Sequence, residues 1–332
     1  MLPLAEEIVK SGNHIFEHSR VVEIEEDDAY TAVTDGGYKV RAPKVILATH
    51  YPFLNKEGFY FARIYVERDY IVAIRAEEKY PGGMYINAEN PARSMRNQVD
   101  KDGELILIIG ENHKAGQGVD TINHYHALID YAHQNFTVKD IPYRWSTQDC
   151  MTLDGIPYVG HYTSDTPNLY VATGFNKWGM TNAIASSVIL KDLIVKGKSH
   201  WEQVYSPSRK TTASSIGKFI IENANVAEKL IAGKLSPLPE DINLNPGEAN
   251  VLKIDSKRVG AYKDEDGKIY VVNTTCTHLG CELNWNSAER SWDCPCHGSR
   301  FSYTGDVIEG PANKPLKSEN TNIFERVATD KF

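Results

Sequence analysis

Two short segments constrain this chain more than anything else in it: Cys276-Thr277-His278-Leu279-Gly280-Cys281 and Cys294-Pro295-Cys296-His297-Gly298-Ser299. Four of the five cysteines fall in them, and each segment offers one thiolate and one imidazole in a tight loop. Four such ligands could hold a tetrahedral zinc. Zinc sites, however, usually space their ligands as C-x-x-C and H-x-x-x-H pairs, whereas these loops mix the two as C-x-H and C-x-x-H. Mixed pairs suit a [2Fe-2S] cluster whose irons differ, with Cys276 and Cys294 on one and His278 and His297 on the other. Two thiolates and two neutral imidazoles leave the oxidised cluster formally neutral, where four thiolates would leave it at minus two. Adding an electron is then easier, and such centres lie at roughly −150 to +300 mV rather than near −400 mV.

The 332 residues exceed one ordinary domain, so two domains or more are expected. Hydrophobic residues make up 41% and charged residues 24%, which excludes a disordered or fibrous chain. A net charge of -8, with no local cluster of basic and aromatic residues, argues against nucleic acid as a partner. The first residues lack a basic segment followed by an apolar one, and no apolar run approaches the roughly 18 residues of a spanning helix. The reading is a cytoplasmic protein without a membrane span. Cysteines gathered this way in a cytosolic chain bind metal more often than they form a disulfide framework.

Along the chain, an amphipathic stretch from Leu4 to Val9 stops at Gly12 as a helix with a glycine C-cap would. Alternation over 19–24, 31–34 and 38–40, with a Gly36-Gly37 turn, predicts a strand and hairpin. The apolar run 44–48 predicts a strand buried in a parallel sheet. Residues 61–145 read as a sheet interrupted by one helix over 122–136, on which His124, His126 and His133 are expected to be solvated because no carboxylate or cysteine stands at ligand spacing. A strand at 168–172, a turn flanked by Gly174 and Gly179, and a helix from Thr181 to Val195 follow. That helix N-terminus offers free N–H groups to an electron-rich ligand. A helical pattern over 216–231 then gives way to Ser236-Pro237-Leu238-Pro239, a boundary signal.

The two cysteine loops resemble those of the Rieske proteins of respiratory and photosynthetic cytochrome complexes more closely than those of Rieske oxygenases, and the likeness covers about residues 245–320, including Gly310-Pro311-Ala312 at the family's proline loop. The resemblance implies a disulfide between Cys281 and Cys296, with two reduced cytosolic thiols as the alternative. It implies that the Ser299 hydroxyl donates to a bridging sulfide and raises the potential. Phe301 departs from the high-potential members, which carry a tyrosine there, so a midpoint below that of the quinol-oxidising members is expected. The histidine edge is expected at the domain surface, as the electron exit.

Residues 1–205 resemble the later part of a D-amino-acid-oxidase-like FAD-dependent oxidoreductase, in the segments from Gly12 to Val21, Val45 to His50, Asp154 to Gly160 and Ala172 to Met180. The resemblance implies that Val21 touches the adenine, that Ala48 and Thr49 lie by the pyrophosphate, and that Gly174, Trp178, Gly179, Met180 and Thr181 border the flavin ring. Trp178 has a plain core aromatic as its alternative. Lys177 is placed nearest the substrate. Asp149 stands where amino-acid-oxidising members hold the substrate carboxylate with an arginine, so a cationic amine is favoured over a free amino acid. Arg96 is a second candidate for substrate contact, with an ordinary surface arginine as its alternative. No G-x-G-x-x-G turn occurs, which suggests a chain that begins inside its FAD domain.

The expected fold is α+β/α/β: a partial FAD-binding domain (1–60 and 146–205), a mixed-sheet substrate domain (61–145), a helical linker (206–243) and an all-β Rieske domain (244–332). The expected cofactors are a [2Fe-2S] cluster and, in the complete parent protein, FAD. The expected partners are a small-molecule amine and an external electron acceptor. The rival reading is a non-enzymatic electron carrier whose flavin-like region is a docking platform.

Overall fold

The computed structural model describes residues 2–54, 58–118, 120–210, 213–238, 244–254 and 257–319, so Pro239 and the end of the chain beyond 319 lie outside it. Helix α1 (Leu2–Lys10) leads through Gly12, at φ +82°, to an antiparallel sheet of β1 (Val21–Glu26), β2 (Tyr30–Thr34) and β3 (Lys39–Ala42). Strand β4 (Val45–Leu47) belongs to a different sheet, as the change from alternating to continuous apolar residues predicts.

The central layer is a five-stranded sheet built from β5 (Ile64–Ala76), β6 (Met84–Ile86), β7 (Ser94–Asp100), β8 (Gly103–Lys114) and, after helix α2 (Ile122–Asn135), β9 (Val138–Thr152). Its order is β6-β7-β8-β5-β9, which puts the long β5 between β8 and β9. Successive strand residues point to opposite faces. Tyr70, Val72 and Ile74 therefore meet Tyr125, Leu128 and Ala132 of α2, while Ile71 and Ala73 meet Leu105 and Leu107 on the other side. Burial on both faces explains why residues 70–74 of β5 read as a continuous apolar run.

Strands β10 (Tyr158–His161) and β11 (Leu169–Thr173) complete the β4 sheet, with β11 parallel to β4 and antiparallel to β10. Helix α3 (Gly179–Lys196) packs Ile189, Leu190 and Leu193 onto this sheet and ends at Gly197 in the left-handed conformation. Two expectations need correction. Strand β4 pairs in parallel as predicted, but only Leu47 is buried and Ile46 is 46% exposed among the described residues. Helix α3 begins at Gly179, two residues before the predicted start, because the turn preceding it is shorter than its glycines suggest.

A short helix α4 (Glu202–Tyr205) and the long α5 (Ala213–Leu235) lead to two antiparallel sheets. One holds β12 (Ala249–Ile254), β13 (Lys257–Lys263) and β14 (Ile269–Asn273). The other holds β15 (Asn284–Asn286), β16 (Ser291–Asp293), β17 (Arg300–Ser302) and β18 (Val307–Glu309). Among the residues of α5 that its apolar pattern picks out, Val226 and Leu230 pack against the core of this second sheet, whereas Ile216, Phe219, Ile220 and Ile231 are exposed.

Candidate cluster site and the sheet beneath it

The two cysteine loops are built alike. Cys276 follows β14 and Cys294 follows β16, and each is closed by the N–H of the glycine four residues on, Gly280 to the Cys276 carbonyl (3.0 Å) and Gly298 to the Cys294 carbonyl (3.1 Å). These glycines sit at φ +78° and +77°, a conformation that a side chain disfavours. The loops are tied to each other by a disulfide between Cys281 and Cys296.

Within this frame the His278 and His297 rings lie edge to face with centroids 5.0 Å apart. Burial lowers the His278 imidazole to about 4, and burial together with His278 lowers His297 to about 3, so both are neutral near pH 7, the form that binds metal. The Nδ1 of His297 is buried with no hydrogen-bond partner among the described residues. The Cys276 thiol is pulled down, first by a hydrogen bond from Cys294, then by the N–H groups of His278 and Leu279 and the Ser299 hydroxyl, against the cost of burial. Cys294 is pushed up, because it donates to Cys276 and is buried. One buried pair of sulfurs beside two neutral imidazoles, one with an unsatisfied nitrogen, fits a [2Fe-2S] cluster with Cys276, His278, Cys294 and His297 as ligands. The sulfurs of Cys281, Cys294 and Cys296 also lie within 4.8 Å of one another, but two of them are consumed in the disulfide and offer no thiolate. Ser299 accepts a hydrogen bond from the Ala312 N–H (3.0 Å) on the proline loop, and Phe301 is fully buried.

The second loop lies directly on the central sheet, which no local sequence signal announces. A Cβ at Gly116 would come 2.5 Å from the carbonyl carbon of Cys294, and one at Gly298 would come 2.9 Å from Val66 on β5. Gln148 on β9 donates to the Gly298 carbonyl (2.9 Å), and Gln117 donates to that of Pro295 (2.8 Å). Arg68, fully buried on β5, pairs with Asp293 (3.1 Å), the residue before Cys294, itself 2% exposed. Arg68 also donates to Ser146 (2.8 Å) and Gln148 (2.6 Å), while Asp293 accepts from Asn286 (2.7 Å) and Ser291 (2.8 Å). A buried pair with this many hydrogen bonds is tolerable where a bare one is not.

His297 is only 3% exposed, and its ring lies edge to face with Phe61, centroids 6.0 Å apart. The histidine edge expected at the surface of the Rieske domain is thus covered at His297 by the turn that precedes β5, while His278 is half-buried, which corrects the expectation of an open exit at both rings. His124 is likewise not a solvated helix residue: it stacks on Tyr70 (4.8 Å) and His113 (4.6 Å), whereas His126 and His133 are exposed as expected.

On the opposite face of β5 and β9 lies a charged group. Glu67 and Asp149 are register partners, and Asp69 follows on the same face. Lys177 reaches over from the turn before α3 to Glu67 (2.9 Å) and Asp69 (2.8 Å). Burial and then Asp69 raise the Asp149 carboxyl, while His50 and Lys177 oppose the rise. Asp69 is raised by its own burial, and Lys177 holds it back. Lys177 is raised because Asp69 and Glu67 outweigh the effect of burial. The sequence reading names Lys177 and Asp149; it misses Glu67, Asp69 and His50, whose place beside them follows only from strand register and turn geometry.

Of the residues the resemblance assigns to the flavin, Ala48, Thr49, Trp178, Met180 and Thr181 are exposed, Val21 is half-buried and Gly174 is buried. Trp178 is 66% exposed, so the core alternative for it is overturned. Asn176 and Lys177 both have positive φ, which turns the chain sharply into α3, and Trp178 makes no side-chain cap bond there. The N–H groups at Gly179 to Thr181 thus open the helix beside an exposed turn, a setting that suits the electron-rich edge of a flavin. Asp154 is structural: Arg209 grips both its oxygens (2.8 and 2.7 Å). Arg96 is exposed on β7.

A mixed Cys/His cluster site docked on the back of a flavin-oxidase-type sheet defines an iron–sulfur flavoprotein architecture. Residues 1–193 match the FAD dependent oxidoreductase family and residues 236–320 the Rieske [2Fe-2S] domain. The chain belongs to that family of FAD-dependent oxidoreductases and carries a C-terminal Rieske domain, and these imply FAD and a [2Fe-2S] cluster as cofactors. It is 42% identical over 315 residues to YhfW of Bacillus subtilis (strain 168), named as a Rieske 2Fe-2S iron-sulfur protein, covering 95% of this chain and 62% of that one. The cytochrome b6-f complex iron-sulfur subunit of Nostoc punctiforme is 38% identical over 111 residues, or 33% of this chain and 52% of the subunit. Glycine oxidase from Geobacillus kaustophilus shares the fold, with a TM-score of 0.51 at 19% identity over 63% of this chain and 57% of the oxidase. The chain thus spans about three fifths of the length of its relatives in the flavin-type region. No described helix is long and apolar enough to cross a membrane.

Proposed function

We propose that the protein is an oxidoreductase that takes electrons from a cationic amine and delivers them, one at a time, through its Rieske centre to an external acceptor. FAD, when bound, supplies the two-electron chemistry, and the cluster supplies the one-electron outlet. The observation that carries the substrate class is the group on the flavin-facing side of β5 and β9, where three carboxylates, Glu67, Asp69 and Asp149, outnumber Lys177. An ammonium there gains a partner for Asp149, whereas a substrate carboxylate is repelled. Lys177, locked between Glu67 and Asp69, orients the acidic group and keeps it from collapsing. The α3 N-terminus favours negative charge on the flavin ring. The second cysteine loop contacts the other face of the same strands, so this one sheet would hold the flavin-side residues and the cluster-side residues on its opposite faces.

The test is anaerobic mixing of the full protein with a panel of amines, amino acids and neutral amides, followed at the cluster's visible band. Cationic amines are expected to bleach it and zwitterionic or neutral analogues are not. A purified protein with a cluster spectrum, no flavin band and no response to any amine sinks this reading in favour of a plain electron carrier.

A further inference from the structure

Tyr51 follows β4, in the flavin-type part of the chain, yet its ring packs against Val66 and Cys150 on the face of β5 and β9 that carries the second cysteine loop. It is 5% exposed, and its hydroxyl is buried with no hydrogen-bond partner among the described residues. A buried hydroxyl left unsatisfied is destabilising, so its partner should be sought in what binds nearby. Thr49 donates to the Tyr51 carbonyl (3.0 Å) and pins the backbone. The ring packs in one buried cluster with Val66, Ala115 and Cys150. Val66 abuts Gly298, and Ala115 adjoins the Gly116 that abuts Cys294.

Tyr51 also lines a cavity of about 70 Å³ with Gln148, Cys150, Glu309 and Gly310, between the end of β4 and the proline loop. Two sulfurs belong to the layers packed around the phenol: Cys150, in the same buried cluster, and Cys294, whose backbone abuts the Gly116 that follows Ala115 of that cluster. Burial keeps Cys150 a neutral thiol, a weak acceptor. Cys294, by contrast, is a thiolate once it holds iron, and thiolate sulfur is the strong acceptor of the two.

We propose that in the cluster-loaded protein the Tyr51 hydroxyl donates to the Cys294 sulfur, so that a residue of the flavin-type region tunes the Rieske centre. A donor on a cluster sulfur draws charge from the iron and stabilises the reduced state. Phe301, buried in the Rieske domain itself, carries no hydroxyl for this purpose. The inference rests on Cys294 as a ligand, and a wild-type protein without a Rieske spectrum would be the failure of that assignment rather than of this one.

The experiment is a mediated redox titration of the full protein followed by EPR, comparing wild type with Tyr51→Phe at equal cluster content. The expected result is a reduction equilibrium about tenfold less favourable, which for one electron is a midpoint about 59 mV lower. Should Tyr51→Phe lose its cluster, site-specific 3,5-difluorotyrosine at position 51 keeps the shape and strengthens the donor, and the midpoint should then rise. A midpoint unmoved by either change overturns the proposal and leaves a water in the cavity as the partner of the hydroxyl.

Discussion

The two faces of the β5–β9 strand pair are finished to different degrees. On the cluster face, Arg68, Gln148, Asp293 and the second cysteine loop are buried and joined by hydrogen bonds. On the other face, Lys177 is partly open, and Trp178, Met180 and Thr181 of the adjoining turn are exposed. Arg68 and Asp69 are neighbours in sequence, yet one serves a closed structural network and the other an open charged site. The difference teaches that the Rieske domain is built into the sheet and not tethered beside it, while the opposite face keeps its charged group accessible.

Breaking the closed face should have the largest effect. His297→Ala removes a ligand that sits against Phe61, and the low-g EPR signal of the reduced cluster should vanish. Arg68→Met leaves the buried Asp293 with Arg300 (3.5 Å) as its one remaining cation among the described residues, at a cost of about 3 kcal/mol in urea unfolding; adding Asp293→Leu should restore much of it. If Arg68→Met alone costs less than about 1 kcal/mol, the closed face is less tightly built than the contacts imply.

A third change sharpens the contrast through pH. The His113 Nδ1–H donates to the Lys114 carbonyl (2.7 Å), which in the neutral ring that burial favours leaves Nε2 to accept from the Tyr70 hydroxyl (3.0 Å). Burial, then His124, lowers it to about 4 from 6.5. The unfolded chain therefore binds a proton first as pH falls, so this contribution is complete above about pH 6.5 and lost toward about pH 4, on the order of 3 kcal/mol in all. The stability gap between wild type and His113→Gln should shrink over that window.

The smallest effect belongs to the open face. Asp149→Asn should weaken binding of a cationic amine about tenfold, or about 1.4 kcal/mol, with the cluster spectrum unchanged. Because burial raises the Asp149 carboxyl, wild-type affinity should fall as pH drops into the upper carboxylate range, and the variant should lack that limb. Equal affinity for both proteins at pH 7 would remove Asp149 from the site.

The sequence is most legible where the chemistry is local. Each cysteine loop carries its proposed ligands and its closing glycine within a few residues, so the loop and its candidate ligands can be picked out in order. The C-cap at Gly197, the parallel pairing of β4 and the helix α2 were similarly marked by nearby residues. What could not be read depends on strand register and on packing between distant segments. Nothing near position 297 announces Phe61, and nothing near Lys177 announces Glu67 and Asp69. His124 looked solvated because the ring it stacks on, Tyr70, stands on a strand more than fifty positions away.

The contact at Gly116 bears on how such a protein can be inherited and rebuilt. With φ +69° and the Cys294 backbone against it, that position has no room for any side chain, and Gly298 faces Val66 in the same way. Neither half can drift freely in sequence at this boundary while the other stays fixed. The Rieske segment is thus a poor candidate for exchange as a ready-made cassette: grafted elsewhere it would expose Asp293 and His297 to water, and each new host would have to supply its own bare patch to receive it.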